Sequence, residues 1–353
     1  MRKINITPEI EQLVDKKYKD ALHASDIHQR IISDLTTLRQ EFLAARSVEI
    51  NTGSSKNPIW EASPSNALQY ADYIGEILKG YQNGLLLTWK PSIFCADIAH
   101  KDTLVNHRIV NKSMKVDGQD REPFANRLVK AMCYDDVRKA IIPPIYKKLE
   151  LKSCVYCNAN YTISDENGEG YYDLDHWKPK SLYPFLCISF FNLQPSCTSC
   201  NRRKSASDLE FMGLWDDTGS RDLDVLKFKL EERSLVNYLV LLDREELKIQ
   251  LIEADPWNPL QQTIRNNTEQ RLHIEARYAE HCDYAEEIVW KSKIYNPSMI
   301  QSLRDSKFSA LIPNQADWER FILGTYADPD DIYKRPLTRL AIDVAKQLGL
   351  FRE

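Results

Sequence analysis

With 353 residues, 43% hydrophobic and 28% charged, the chain has the composition of an ordinary globular protein long enough for two or three packed units, which excludes disorder as its main state. Its 47 basic and 51 acidic residues leave a formal net charge of -4, so there is no chain-wide basic field and any polyanion contact must come from a local patch. The longest apolar runs, around 84–89, 183–191 and 235–242, fall short of the roughly 20 residues of a membrane span, and the opening MRKINITPEI has no apolar core behind its charges. A soluble, cytoplasmic protein without membrane contact is expected, and in a reducing compartment paired cysteines favour metal over disulfide.

Helix signals dominate the first third. Thr7 is an N-cap with Pro8 at the first helical position, and Ile10, Leu13, Val14, Tyr18 and Leu22 recur at helical spacing. A second helix follows Ser25 or Asp26, with Ile31, Ile32, Leu35, Leu38, Phe42 and Leu43 on one stripe. Residues 51–64, rich in Gly, Ser, Asn and Pro, read as a loop, and a helix over 66–79 stops at Gly80. The helical stretch 135–150 is interrupted by Pro143 and Pro144, which brings the chain to a boundary just before Cys154.

Beyond that boundary the period changes. Residues 161–164 and 171–175 are short strands joined by the turn signal Asn167-Gly168, a hairpin that leads directly into Asp175-His176. Residues 225–230 alternate apolar and charged, and 235–251 is read as one or two further strands. From 262 to 295 the composition is helical, ended by Asn296-Pro297, and 317–326 and 337–348 suggest two more helices. The expected divisions are 1–150, mainly helical; 151–215, a small metal-bearing unit; and 216–353, mixed and then helical.

Half of the eight cysteines form two C-x-x-C pairs, Cys154/Cys157 and Cys197/Cys200, a spacing that lets four thiolates reach one tetrahedral Zn²⁺. Such a site has no open position, so its zinc is structural and its binding helps fold a small unit; chemistry has to come from elsewhere. Between the pairs lies Asp175-His176. Adjacent strand residues point apart, so a carboxylate can hold an ion while an imidazole addresses another atom. The remaining Cys95, Cys133, Cys187 and Cys282 are isolated and expected to be buried small hydrophobes. His100, His107, His273 and His281 give no second metal set. Trp177 and Trp215 could stack on bases, but packing around the zinc is the expectation.

The window Cys154 to Ser205, with His176, Asn192 and Asn201 in that order, resembles the HNH or ββα-metal endonucleases in a zinc-stapled, H-N-N form. The resemblance implies an α+β chain in which a ββα-metal core is embedded between mainly helical flanks. It implies a general base in His176, a catalytic Mg²⁺ or Mn²⁺ held by Asp175 and Asn201, and in Asn192 a residue that orients the loop bearing the base. Within 154–204 the acids Asp165, Glu166, Glu169, Asp173 and Asp175 all precede the bases Lys178, Lys180, Arg202, Arg203 and Lys204. These bases form a local patch suited to phosphate contacts on DNA, expected to be double-stranded. Cleavage of both strands by such a site needs two copies, hence a homo-oligomer, or sequential nicking; the sequence does not choose. RNA as substrate, and a non-catalytic zinc module that binds nucleic acid or protein, stand as alternatives. The chain has no Walker-type glycine loop. Large helical flanks around such a core are similar to bacterial anti-phage defence nucleases of the Septu nuclease-subunit type, which implies an ABC-type ATPase partner.

Overall fold

The computed structural model describes residues 1–207, 209–306, 311–312 and 314–350. Thr7 caps the helix Pro8–Val14 by accepting from the Ile10 N–H, and the helical path runs on through a wider turn, Asp15–Lys19, to His23. The helix Asp26–Ala44 buries Ile31, Leu35, Leu38 and Phe42, while Ile32 is half-buried and Leu43 is exposed, so the buried stripe is narrower than the six residues expected on it. It packs on the helix Ala67–Gln82, whose N-terminus carries a reciprocal capping box between Asn66 and Gln69. Gly80 does not end that helix. The stop comes at Gly84, where φ is 75°, and Gly80 lies within the helix against Leu86. Phe42, Tyr70, Tyr73 and Phe124 fill the space between these helices, with ring centroids 4.9 to 5.7 Å apart.

The segment 51–64 is not wholly loop. Strands Val48–Asn51 and Trp60–Ala62 border it, and with Met114–Val116 and Gln119–Arg121 they form a four-stranded antiparallel sheet. The last two strands meet at Asp117-Gly118, both at positive φ, a hairpin turn signal that the sequence reading passed over.

The hairpin around Asn167-Gly168 forms from Ile163–Ser164 and Gly170–Tyr171, but Asp175-His176 is not its arm. The strand Asp173–His176 pairs antiparallel with Leu193–Ser196, Asp175 opposite Gln194 and His176 opposite Leu193, and the helix Thr198–Lys204 follows at once. The order is therefore strand, long loop, strand, helix. Tyrosines from the N-terminal region fasten this unit by its backbone: Tyr18 donates to the Ile188 carbonyl (2.6 Å), Tyr134 to Leu174 (3.3 Å) and Tyr146 to Leu193 (2.9 Å).

The C-terminal region differs most from expectation. Residues 235–251 hold the helix Glu232–Leu241 and then the strand Ile249–Glu253, which pairs with Leu226–Leu230. A run of apolar residues carries no period of its own, and the burial of Ser234 and Tyr238, four apart, is what selects a helix. Helices Pro259–Leu272, Ile274–Tyr278 and Cys282–Ile294 follow. Asn296 then caps a further helix, Pro297–Arg304, rather than only ending the previous one. Helices Gln315–Leu323 and Thr338–Gln347 complete the chain's α+β architecture. No helix among the described residues is long and apolar enough to cross a membrane.

Candidate functional site

The four cysteines of the two C-x-x-C pairs converge. Their sulfurs all lie within 4.8 Å of one another, all four residues are buried, and Cys157 and Cys197 stand 4.0 Å apart. Four thiolates about 2.3 Å from a tetrahedral Zn²⁺ stand about 3.8 Å from each other, so the cluster fits that ion. Residues outside the motif complete it. Arg277 donates to Cys200 Sγ at 3.2 Å and the Asn160 amide to Cys197 Sγ at 3.4 Å. A positive charge and N–H donors suit a site where four thiolates outweigh a dication. Neither residue has a motif to announce it; Arg277 is more than seventy positions away and arrives through the fold. Asn158, at φ 51°, docks the zinc loop on the C-terminal region, giving to the Ile332 carbonyl and accepting from the Arg339 N–H.

A single side chain links this cluster's loop to Asp175. Tyr156, inside the first C-x-x-C, donates its hydroxyl to Asp175 Oδ2. Burial, then the neighbouring carboxylate, holds that phenol well above its ordinary pKa of 10.0, so it remains a donor. Lys204 Nζ reaches the same Oδ2 at 3.0 Å and the His176 carbonyl at 2.8 Å. Lys204 is thus sealed beneath the strand, whereas the sequence reading set it among the phosphate contacts.

His176 is 5% exposed. Its Nε2 lies 3.0 Å from the Cys187 carbonyl. A carbonyl only accepts, so Nε2 carries the proton and Nδ1 keeps a lone pair. Burial, followed by the charges of Lys180, Lys204 and Arg138, pushes the imidazole down to about 3 against the opposing pull of that hydrogen bond, which makes it neutral at pH 7. Its ring packs against Tyr134 at 4.9 Å.

Asn192 is fully buried and closes the loop between the two strands. Its Oδ1 accepts from the Lys178 N–H (2.8 Å), and its Nδ2 donates to the Lys178 and Leu186 carbonyls (3.0 and 3.1 Å). Asn201, on the helix Thr198–Lys204, donates through Nδ2 to Asp173 Oδ2 at 3.0 Å. Asp173 sits two residues before Asp175 on the same face of the strand, a period-2 relation visible in the sequence once the strand is known.

Asp173, Asp175, His176, Asn201, Lys180 and Arg138 line one cleft of about 290 Å³ with Tyr134. Oxygen donors from two carboxylates and an amide suit a hard cation such as Mg²⁺ or Mn²⁺. Of the other bases, Arg202 and Arg203 are exposed on the helix that bears Asn201, and Lys178 turns to Glu210 at 2.8 Å over the Trp177 ring. Trp177 and Trp215 are packing residues, donating to the Phe211 and Leu193 carbonyls. Cys133 and Cys187 are buried as expected, but Cys95 is exposed and Cys282 half-buried. Arg138 and Tyr134 escaped the sequence reading because they come from a helix outside the window.

An 85-residue stretch, 23% of this chain, is 32% identical to the Septu protein PtuB of Bacillus thuringiensis. That stretch covers 32% of the relative's length. No family model matches the chain, and no solved structure matches it.

Proposed function

We propose that this protein is a metal-dependent endonuclease of the HNH type that hydrolyses DNA, with its four-cysteine zinc as a structural staple. The observation that carries the reading is His176: a neutral imidazole whose Nε2 is committed to the Cys187 carbonyl, beside Asp175 and Asn201 in one cleft. In this reading Nδ1 takes the proton from the attacking water. Asp175 and Asn201 hold the divalent ion; Tyr156 and Lys204 engage Asp175 Oδ2, so Oδ1 is the oxygen offered to it. When bound, that ion stabilises the charge that develops on the phosphate and on the leaving oxygen. Asn192 fixes the strand-to-loop turn after His176, and Asn201 is itself held by Asp173. Lys180, Arg138, Arg202 and Arg203 supply the cationic rim for the phosphate backbone, which is read without regard to base sequence. The similarity to a Septu protein supports a role in bacterial anti-phage defence, and the absence of a Walker-type loop from the sequence supports an ABC-type ATPase as the partner that supplies energy coupling.

The test is nicking of supercoiled plasmid with Mg²⁺ or Mn²⁺. His176→Ala is expected to stay folded and zinc-replete while its rate falls by at least about a hundredfold, the usual contribution of a general base. Nicking by that variant at the wild-type rate, or wild-type cleavage that persists in EDTA, would sink the assignment.

A further inference from the structure

Of the five bases that follow Asp175 within the window, Lys180 is the one that lines the cleft with Asp175, His176 and Asn201. The others are committed elsewhere or stand outside it. Lys178 is paired with Glu210 and Lys204 with Asp175, while Arg202 and Arg203 are exposed on their helix. The Lys180 Nζ lies 3.8 Å from the centroid of the Tyr134 ring, the same ring on which the His176 imidazole packs. A cation over an aromatic face is attracted to it, so the ring fixes where the ammonium sits without neutralising it. One side chain thus places both the candidate base and this charge.

Among the described residues neither Lys180 nor Arg138, the other cation lining the cleft, takes part in an ion pair. Lys180 is half-buried. Burial lowers its pKa; Asp135 pulls the other way, and the Arg138 charge adds to the fall. An ammonium drawn partly out of water beside a second cation is unfavourable until an anion reaches it. The cleft is about 290 Å³ and also holds the candidate base and ion ligands, so the anion that enters it beside them is the phosphate under attack and not a flanking one.

We propose, resting on the nuclease reading above, that Lys180 is a further catalytic residue, set apart from the rest of the cationic rim: its ammonium bonds a non-bridging oxygen of the scissile phosphate and stabilises the charge that builds there during attack. Such a donor, fixed in advance, acts on the transition state more than on the bound substrate, so its removal lowers kcat and leaves KM nearly unchanged.

Steady-state cleavage of a fluorescent DNA duplex with Mn²⁺ separates the two constants. Lys180→Met keeps most of the aliphatic stem and removes the charge. It is expected to retain zinc and helical circular dichroism while kcat falls about a hundredfold and KM moves by less than about threefold. Lys180→Arg should recover at least about tenfold of that loss, and methylammonium added to Lys180→Ala should raise its rate in proportion to concentration, which a variant damaged in its fold would not allow. A duplex left uncut by the wild type would overturn the nuclease reading and this proposal with it. An active wild type would overturn this proposal alone if Lys180→Met kept its kcat, if the loss fell wholly in KM, or if neither Lys180→Arg nor methylammonium restored any of it.

Discussion

Tyr156 joins two sites that the sequence presents as separate. Its backbone belongs to the loop between two cysteines of the four-sulfur cluster, and its hydroxyl holds Asp175 Oδ2, with the Gln194 amide donating to the same hydroxyl. Groups that orient a ligating carboxylate typically contribute 10- to 100-fold to metal affinity. Tyr156→Phe is therefore expected to keep the fold and its zinc, measured by elemental analysis, while Mn²⁺ binding measured by electron paramagnetic resonance weakens by about tenfold. Unchanged Mn²⁺ affinity would show that Lys204 alone suffices to hold Asp175. At this scale Asp175, His176 and Asn201, which the structure brings to one cleft, were legible from their order in the sequence. Their supports were not. Lys204 is expected among the phosphate contacts, and only its burial against Asp175 shows it facing inward. Tyr134, Arg138 and Arg277 reach the two sites from helices remote in sequence, and local spacing cannot report that.

The strand Asp173–His176 and its partner Leu193–Ser196 are four residues each, too short to hold a pair of strands by themselves. Two things fix them: the tyrosines at their backbone and the four-cysteine cluster, which ties Cys197, directly after the second strand, to the loop bearing Cys154 and Cys157. Zinc extraction, or Cys154→Ser, should consequently lower the melting temperature and abolish plasmid nicking together, and re-addition of Zn²⁺ to extracted protein should restore both. A zinc-free protein with undiminished thermal stability would contradict the structural role. The element boundaries show how far sequence goes here. Thr7, Asn66 and the proline pair at 143–144 mark real helix ends because caps and prolines act through their immediate neighbours. The pairing of Asp173–His176 with a strand about twenty residues downstream, instead of with the nearer hairpin, depends on which strand the zinc cluster and the tyrosines hold in place.

Across the whole molecule, the first residues are locked against the last helix. Arg2 bonds Asp224 at 3.1 Å, and Arg339, buried in the helix Thr338–Gln347, bonds Asp224 at 2.6 Å and Asp343 at 2.8 Å. Burial alone would raise the Asp224 carboxyl, but the bond and charge of Arg339 and the bond of Arg2 outweigh it and hold the group well below the usual carboxylate range. A depressed carboxylate pKa stabilises the fold fully above the unfolded value of about 3.9 and loses that contribution as pH falls below it. Asp224→Asn should cost about 3 kcal/mol at pH 7, as expected when one partner of a buried ion pair is removed. The gap from wild type in urea melts should narrow progressively below about pH 4. A pH-independent gap would mean that the carboxylate's charge is not what holds the two ends together.

By itself the sequence supplied the residues of both candidate metal sites and their order along the chain. The C-x-x-C pairs, the Asp-His dipeptide and the two asparagines are short-range patterns, and an acidic average charge does not obscure them. The tertiary structure alone decided which strand Asp175-His176 joins, that Lys204 faces inward, that residues 232–241 form a helix, and that Arg277 and Arg138 serve sites far from them in sequence. Each of those is a contact between distant segments, set by which surfaces the packed core leaves available, and no local period encodes it.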